Sequence, residues 1–475
     1  MRTLILAILA FLLTTPGALA QEIKVSTGPD QIGGVPFSDV PYRVPSLGLA
    51  MRLPEGATVS STSTVEGVRS FVVTPASKKW LLRVLGPRVS DPSMTPAGVI
   101  GSMIEELLDP DGDRDTLKTM NLTTKDGRKR VFDRIDALTT PTSTGARFYV
   151  RIAQPAGPEL ITGYSVFVPA PGQLVVFEIN CLGPEFAAVQ PVYEAIVAAA
   201  TIRDPEQLAS ERAAGITAGQ TLLADLDGET IAAMLPVGPE WTRLYRPGPT
   251  GRWSDDDEVA YQSLEIRKGR RGELSQGRSK RSWSASEREQ GFVAVLRARY
   301  LENGQTIDIL SSYFLSEDLV GEAWSVRMRV RDRFDSFNWT ETGVRSGEEI
   351  RVSIAQPDGT VTEKSWPVPP EGYLSHVEAL LLPRLLAGHG VEGEFAFYRY
   401  NSQIGELALR RDTFTVSADG WTLTTKAHED APADVLELDH AGALVSEILG
   451  GDVHGTSSEQ KSIAGIWRHK GLPID

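Results

Sequence analysis

The first part of the chain combines short apolar runs with two segments of helical periodicity. Thr95 and Pro96 are typical of a helix start, and the apolar residues that follow recur at the spacing of one helix face: Val99, Ile100, Met103, Ile104, Leu107 and Leu108. An alanine-rich helix is predicted over 185–200. Apolar runs bounded by Pro or Gly predict strands at 49–53, 70–74, 80–85, 148–152, 164–168 and 174–181. This order predicts an α+β domain over 47–205.

The opening phrase LGLAMRLPEG and the closing phrase VYEAIVAAATIRDP of this domain resemble the small sandwich shared by PsbP, Mog1 and DcrB-like envelope proteins. The resemblance implies an antiparallel sheet flanked by an amphipathic helix and a late helix. It also implies an accessory or binding module, and it brings no catalytic residues to transfer.

Beyond the domain, residues 206–236 are rich in Ala, Glu and Leu and predict a helical connector. The region 237–475 then shows repeated period-2 patterns, which predict a β-rich, curved antiparallel sheet with one face in the core. In the clearest run, apolar and polar residues alternate without a break: Trp324, Val326, Met328 and Val330 against Ser325, Arg327, Arg329 and Arg331. We therefore expect the three arginines to form a cationic row on the wet face.

Two parts of this region are similar to each other in sequence, 241–266 and 395–409. The similarity suggests two related halves, 237–392 and 393–475. Their strand texture resembles LolA/LolB-type envelope carriers, which implies a half-barrel that grips a lipid-like or peptide ligand. The apolar segment 373–386 between them predicts a short helix that covers the open side of the sheet, and the alternative is a lid over a cavity.

The N-terminus has the order of an export signal. Arg2 precedes the apolar run 4–13, and Ala18-Leu19-Ala20 forms a cleavage site before an extended segment, 21–46. The run is shorter than the roughly 20 apolar residues that cross a bilayer, so we expect cleavage and no transmembrane segment afterwards. The only cysteine, Cys181, allows no intrachain disulfide. We therefore expect export to a bacterial periplasm or the extracellular space.

The charge balance limits the kinds of partner. With 48 basic and 62 acidic residues the net charge is −14, which argues against nucleic acid. A basic cluster nevertheless sets seven cations against Glu273: Arg267, Lys268, Arg270, Arg271, Arg278, Lys280 and Arg281. Such a run is either a solvated loop or a contact for anionic headgroups of phospholipid or lipopolysaccharide. We take Arg267, Lys268, Arg270 and Arg271, with the row Arg327, Arg329 and Arg331, as candidate ligand-binding residues.

Catalytic and metal-binding motifs are sparse. The sequence contains no GxSxG, HExxH, CxxC or phosphate-binding P-loop, and its six histidines are at least 12 residues apart. One acidic stretch could bind calcium, although it fits no EF-hand register: Asp109, Asp111, Asp113 and Asp115. We predict no cofactor.

These observations favour an exported, non-catalytic envelope protein that binds a hydrophobic or anionic envelope component, or an envelope protein. The alternative is an enzyme that acts on cell-envelope glycan through dispersed carboxylates, and a third possibility is a structural scaffold. A cavity under the helix at 373–386 would favour a carrier. Paired carboxylates in a Trp-lined groove would favour the enzyme, and a filled core with a flat apolar patch would favour the scaffold.

Overall fold

The computed structural model describes these residues: 31–32, 34–65, 68–87, 93–108, 128–248, 257–275, 277–302, 304–331 and 336–472. The predicted export signal and the acidic stretch Asp109, Asp111, Asp113 and Asp115 lie outside them. The chain divides into two compact units, within Gln21–Glu211 and within Arg212–Asp475, and each is described by itself.

Among its described residues, the N-terminal unit contains antiparallel sheets and the helices α1 (Pro96–Leu108) and α2 (Phe186–Ala198). Its described strands are β1 (Gln31–Ile32), β2 (Val35–Pro36), β3 (Tyr42–Val44), β4 (Leu49–Met51), β5 (Thr58–Val65), β6 (Val68–Thr74), β7 (Trp80–Gly86), β8 (Lys129–Thr139), β9 (Thr144–Ile152), β10 (Leu160–Ala170), β11 (Gln173–Leu182) and β12 (Thr201–Ile202). Among them, seven form the main sheet, in the order β5-β6-β7-β11-β10-β9-β8.

Helices cover both faces of this sheet. Ile100 and Ile104 of α1 pack with Phe148 of β9, whereas Tyr193 and Ile196 of α2 belong to a separate cluster on the other face. Successive strand residues point to opposite faces, and for this reason β9 can supply both clusters. The predicted helices and the α+β class are confirmed.

The C-terminal unit takes in most of helix α3 (Pro205–Ala224), together with α4 (Gly228–Ala233), α5 (His376–His389) and α6 (Gln460–His469). Its described strands are β13 (Glu240–Tyr245), β14 (Glu258–Arg270), β15 (Gln290–Glu302), β16 (Gln305–Ser316), β17 (Glu322–Arg331), β18 (Ser336–Ser346), β19 (Glu349–Ala355), β20 (Val361–Pro367), β21 (Gly393–Asn401), β22 (Glu406–Ser417), β23 (Gly420–Lys426), β24 (Asp434–Leu438), β25 (Leu444–Leu449) and β26 (Val453–Ser458).

All of these described strands belong to one fourteen-stranded antiparallel sheet. Strands β13 to β20 form one meander, α5 follows, and β21 to β26 form a second meander. The last strand pairs with the first, Trp241 opposite Ser458, and this pairing joins the two meanders with β20 and β21 at the edges. Both predicted halves therefore lie in a single sheet.

The sheet curls until its ends overlap. Tyr400 on β21 packs against Trp324 on β17 and Trp366 on β20, with ring centroids 5.2 and 5.6 Å apart. Phe395 and Phe397, on the opposite face of β21, pack with the helices. Strand β21 thus lies between the helices and the meander formed by β13 to β20.

Helix α5 fills the interior. Ser375 caps its N-terminus in a capping box with Glu378, and Gly390 ends it in the left-handed conformation at φ 61°. Its apolar residues Val377 and Leu382 are fully buried. The segment predicted as a connector contributes to the same interior through α3 and α4, because Leu222 and Ile231 are buried in the hydrophobic clusters of this unit. The helix at 373–386 is therefore a core element and not a lid.

Candidate functional site

The connection from β14 to β15 is folded onto the outer face of the sheet. This segment, described at 271–275 and 277–289 and here called the basic excursion, contains the short 3₁₀ helices Arg271–Leu274, Lys280–Ser282 and Ser286–Arg288. Leu274 packs on Val293 and Phe314, and Trp283 is 5% exposed. The indole lies against Gly272, where an added Cβ atom would be 2.6 Å from the ring. Its cations are therefore carried on a packed scaffold.

A groove of about 510 Å³ lies beside the excursion. We call it the basic groove, and it is lined by Lys268, Gly269, Arg270, Glu273, Lys280, Trp283, Arg288, Gln290, Gly291 and Glu317. Gly269 and Gly291 are direct partners across β14 and β15, so neither strand places a side chain at that register. An added Cβ atom would be 2.7 Å from Val293 at Gly269 and 2.0 Å from the Leu315 carbonyl oxygen at Gly291, so the two glycines allow close packing of the chain itself.

The basic groove has an excess of available positive charge. Its cations Lys268, Arg270, Lys280 and Arg288 are exposed and have no ion-pair partner in the described part of the chain. Glu273 is neutralised by Arg267, which lies outside the groove, at an Nη2–Oε2 distance of 2.7 Å. Of the groove's carboxylates only Glu317 remains to oppose the four cations. The ammonium of Lys280 lies 5.9 Å from the ring centroid of Trp283, where a cation–π contact positions it.

A second groove of about 780 Å³ lies on the other side of the excursion, over the outer face of β17 to β20. We call it the outer groove. Arg271, Leu274, Ser275 and Glu287 form its excursion wall, and the strands supply the rest: Ala323, Trp324, Ser325, Arg327, Thr342, Gly343, Val344, Glu349, Arg351, Val352, Ser353, Glu363, Lys364 and Ser365. The two grooves therefore share one wall.

The structure separates the predicted ligand-binding cations into groups. Lys268 and Arg270 line the basic groove, and Arg271 and Arg327 line the outer groove. Arg267 is engaged by Glu265 and Glu273, so it is a structural residue and not a free ligand contact.

The cationic row on β17 is only partly available. Arg329 is exposed outside both grooves, and Arg331 forms an ion pair with Asp308. The row is therefore not a continuous binding surface, although its alternation with buried Val326, Met328 and Val330 is as predicted.

Sequence reasoning missed Trp283, Arg288 and the glycine pair. The signal for Trp283 was a single large apolar residue inside a basic run, which predicts an anchor in the core. Nothing in the sequence indicates that Gly269 is opposite Gly291, because that relation depends on the strand register.

The positions of the carboxyl groups bear on acid–base chemistry. Burial raises the pKa of Glu378, of Asp434 and, to about 7, of Glu447, and all three lie inside the C-terminal unit. In the outer groove, a hydrogen bond from Arg351 lowers the pKa of Glu349. A glycosidase needs an accessible acid with a raised pKa, and none of these three carboxyls lines either groove.

Thiol and metal chemistry receive no support in the described residues. Burial raises the pKa of the Cys181 thiol to about 11, which keeps it in the protonated, weakly nucleophilic form. No group of three His, Cys, Asp or Glu side chains in the described ranges is arranged to bind a metal ion. No described helix is long and apolar enough to span a membrane.

Comparison with known proteins finds similar solved structures, among them a cyanobacterial protein and a protein from Brucella abortus. The solution structure of the cyanobacterial PsbP (CyanoP) from Synechocystis sp. PCC 6803 is 13% identical, covers 39% of this chain and 100% of its own, and has a TM-score of 0.25. The crystal structure of a beta-barrel-like protein of the domain of unknown function DUF1849 from Brucella abortus is 11% identical, covers 47% of this chain and 98% of its own, and has a TM-score of 0.31.

No family model matches the chain, and no curated protein matches it. A PsbP protein is thus among the structural neighbours, as the N-terminal phrases suggested, whereas the LolA/LolB resemblance stays a prediction.

Proposed function

We propose that the chain is an exported, non-catalytic protein of the bacterial envelope that binds an anionic envelope component through the basic groove. One observation carries the proposal: four cations without ion-pair partners in the described structure line, together with Trp283, a groove of about 510 Å³. They do so on a chain whose net charge is −14. A local cationic site on a protein of negative net charge is suited to a compact anion, because the rest of the surface repels an extended polyanion.

The chemistry of the groove suits phosphate or phosphate-like groups. Arg270 and Arg288 supply planar guanidinium donors that can bind two oxygens at once, and Lys268 and Lys280 supply point charges. Near an anionic membrane surface each such cation contributes about 1 kcal/mol. Four cations therefore supply enough energy for a reversible association whose strength depends on salt.

Because the interior of the C-terminal unit is filled, we favour the basic groove as the ligand site and not a lipid-binding cavity inside the sheet. Val377 and Leu382 of α5 are fully buried and Leu381 is 2% exposed, so side chains occupy the space that a carrier would leave for its ligand. The carboxyls with raised pKa lie inside the fold, and this arrangement favours binding over glycan hydrolysis.

Co-sedimentation with phosphatidylglycerol vesicles tests the proposal, with phosphatidylcholine vesicles for comparison. We expect the wild type to bind the anionic vesicles at 50 mM salt and to dissociate as salt rises. A basic-groove variant, K268S/R270S/K280S/R288S, should lose this binding.

A matched control removes four exposed cations that do not line the basic groove, R281S/R329S/K461S/R468S. Both variants change the net charge equally, so only a specific site predicts a difference between them. Equal binding by wild type and basic-groove variant would overturn the proposal.

A further inference from the structure

A row of polar side chains crosses the outer groove from strand to strand. Ser325 on β17 is opposite Thr342 on β18, Thr342 is opposite Ser353 on β19, and Ser353 is opposite Glu363 on β20. Residues directly opposite each other in a sheet point to the same face. At a strand spacing of about 4.8 Å, the row is about 14 Å long. It presents three hydroxyls and a carboxylate to one elongated ligand.

The charges around this row largely neutralise one another. Arg351 donates to Glu349 from Nε at 2.7 Å. On the excursion wall, Arg271 lies 3.5 Å from Glu289, and Glu287 is paired with Arg278. Lys364 has no described ion-pair partner either, but its ammonium donates to the Gly405 carbonyl oxygen at 3.3 Å. Arg327 and Glu363 then remain as one cation and one anion without a described hydrogen-bond or ion-pair partner.

The outer groove therefore differs in chemistry from the basic groove. Hydroxyls both donate and accept hydrogen bonds, arginine only donates and carboxylate only accepts. A neutral ligand with many hydroxyl groups can satisfy this mixture, whereas a phosphate would meet the Glu363 carboxylate. The volume of about 780 Å³ is within the range of small-ligand sites.

The two grooves are close enough for one ligand. Arg271 lines the outer groove and Glu273, two residues later in the same 3₁₀ helix, lines the basic groove. At the other end of the excursion, Glu287 lines the outer groove and Arg288 the basic one. Consecutive Cα atoms are about 3.8 Å apart, so the wall between the grooves is one chain segment thick.

We infer that the ligand is a phosphorylated saccharide, with its sugar hydroxyls in the outer groove and its phosphate in the basic groove. This inference rests on the proposed function and names the class of anion that the site binds. Each half of such a ligand meets the groove of matching chemistry.

Isothermal titration calorimetry with three probes tests the inference. The probes are inorganic phosphate, an unphosphorylated glucosamine disaccharide, and the same disaccharide with a phosphate at each end. We expect the phosphorylated disaccharide to bind at least tenfold more tightly than inorganic phosphate. An outer-groove variant, T342V/S353A/E363Q, should reduce this advantage to less than twofold and leave the affinity for phosphate unchanged.

A matched control changes the same residue types in neighbouring turns and strand ends, T360V/S346A/E348Q, and should bind as wild type does. Thermal melts of both variants establish that they fold. The basic-groove variant should lose phosphate and phosphorylated disaccharide alike.

The outcomes separate the inference from the proposed function. If the phosphorylated disaccharide binds no more tightly than phosphate, or if the outer-groove variant keeps the full advantage, the inference is overturned while the proposed function stands. If neither the phosphate probes nor anionic vesicles bind, both are overturned.

Discussion

Tyr400 donates a hydrogen bond to Glu341 where the sheet overlaps itself, with 2.9 Å between the phenolic oxygen and Oε2. Glu341 is fully buried and also accepts from Trp324 Nε1 at 2.9 Å and from Ser402 Oγ at 2.7 Å. A buried carboxylate is costly unless such donors satisfy it. The cluster therefore ties β21 to β17 and β18 at a defined position, on the inner side of the strands whose outer face carries the outer groove.

Removing the Tyr400 hydroxyl should weaken the contact between β21 and β18 while the packing of the aromatic ring is kept. Tyr400→Phe keeps the buried ring but takes one donor from Glu341, so we expect a loss of about 1–3 kcal/mol in the free energy of unfolding. Urea denaturation followed by tryptophan fluorescence measures it. Tyr398→Phe on the same strand is the control and should cost less than about 0.5 kcal/mol, because no described residue receives a hydrogen bond from its hydroxyl. Equal effects of the two changes would contradict the role of Glu341.

A second buried pair connects α5 to the sheet. His376 Nδ1 lies 2.6 Å from Glu322 Oε1, the His376 backbone N–H donates to the same oxygen at 2.7 Å, and Tyr373 donates to Oε2 at 2.8 Å. Burial disfavours the charged carboxylate, but His376 outweighs it and lowers the pKa of Glu322. The imidazole is stacked on Tyr313 with 4.6 Å between ring centroids.

His376→Gln should destabilise the C-terminal unit by about 3 kcal/mol or more, because it takes from the buried Glu322 carboxylate the imidazole ring that lies 2.6 Å from it. The double change His376→Gln with Glu322→Gln also removes the charge of the carboxylate, so it should recover part of the lost free energy of unfolding. A double-mutant cycle in urea measures the coupling. If the two single changes add without coupling, the pair does not act as a unit.

The alternation on β17 gives a test that the sequence alone could already define. Val326 is 8% exposed in the core and Arg329 is exposed on the other face. Val326→Asp would bury a charge, so we expect it to unfold the C-terminal unit, whereas Arg329→Ser should change stability by less than about 0.5 kcal/mol. Circular dichroism melts distinguish these results, and a folded Val326→Asp protein would contradict the assignment of faces.

Local patterns predicted the elements well where periodicity was strong. Two helices were recognisable, Pro96–Leu108 and the one between the caps Ser375 and Gly390. Their capping and turn residues are encoded within a few positions of the sequence. The joining of β26 to β13 was not predictable, since it depends on residues more than 200 positions apart, such as Trp241 and Ser458. Helix α6 was also missed, although its apolar residues Ile463, Ile466 and Trp467 have the i, i+3, i+4 spacing of one helix face.

The candidate site likewise combines features that the local sequence predicts with features that depend on residues distant in the chain. The basic cluster and the arginine row on β17 were visible as charges in the sequence. Which of these cations are available was decided by partners that the fold brings to them, such as Glu273 for Arg267 and Asp308 for Arg331. The hydroxyl row Ser325–Thr342–Ser353 has no sequence signal, because it exists only across strands.

The last prediction concerns Glu447, a buried carboxyl on β25 that accepts from Gln262 Nε2 at 3.1 Å. Burial, with a smaller effect of Asp434, raises its pKa to about 7 from an ordinary value of 4.5. The folded state therefore keeps a proton that the unfolded chain has released between pH 4.5 and pH 7. In that window the unfolded state binds fewer protons, so stability falls as pH rises and levels off above the folded pKa.

We expect the free energy of unfolding of the C-terminal unit to fall by about 2–3 kcal/mol between pH 5 and pH 8 from this group alone. Glu447→Gln keeps the acceptor for Gln262 but cannot ionise, so it should remove that decline and be the more stable protein at pH 8. Glu348→Gln, in an exposed turn, should retain the wild-type profile. Urea midpoints at half-unit pH steps measure all three proteins. If Glu447 keeps its proton in the folded protein, the curves of wild type and Glu447→Gln converge toward acid pH and diverge toward basic pH. Parallel curves would contradict the prediction, because they would show that the carboxyl is already ionised in the folded protein at neutral pH.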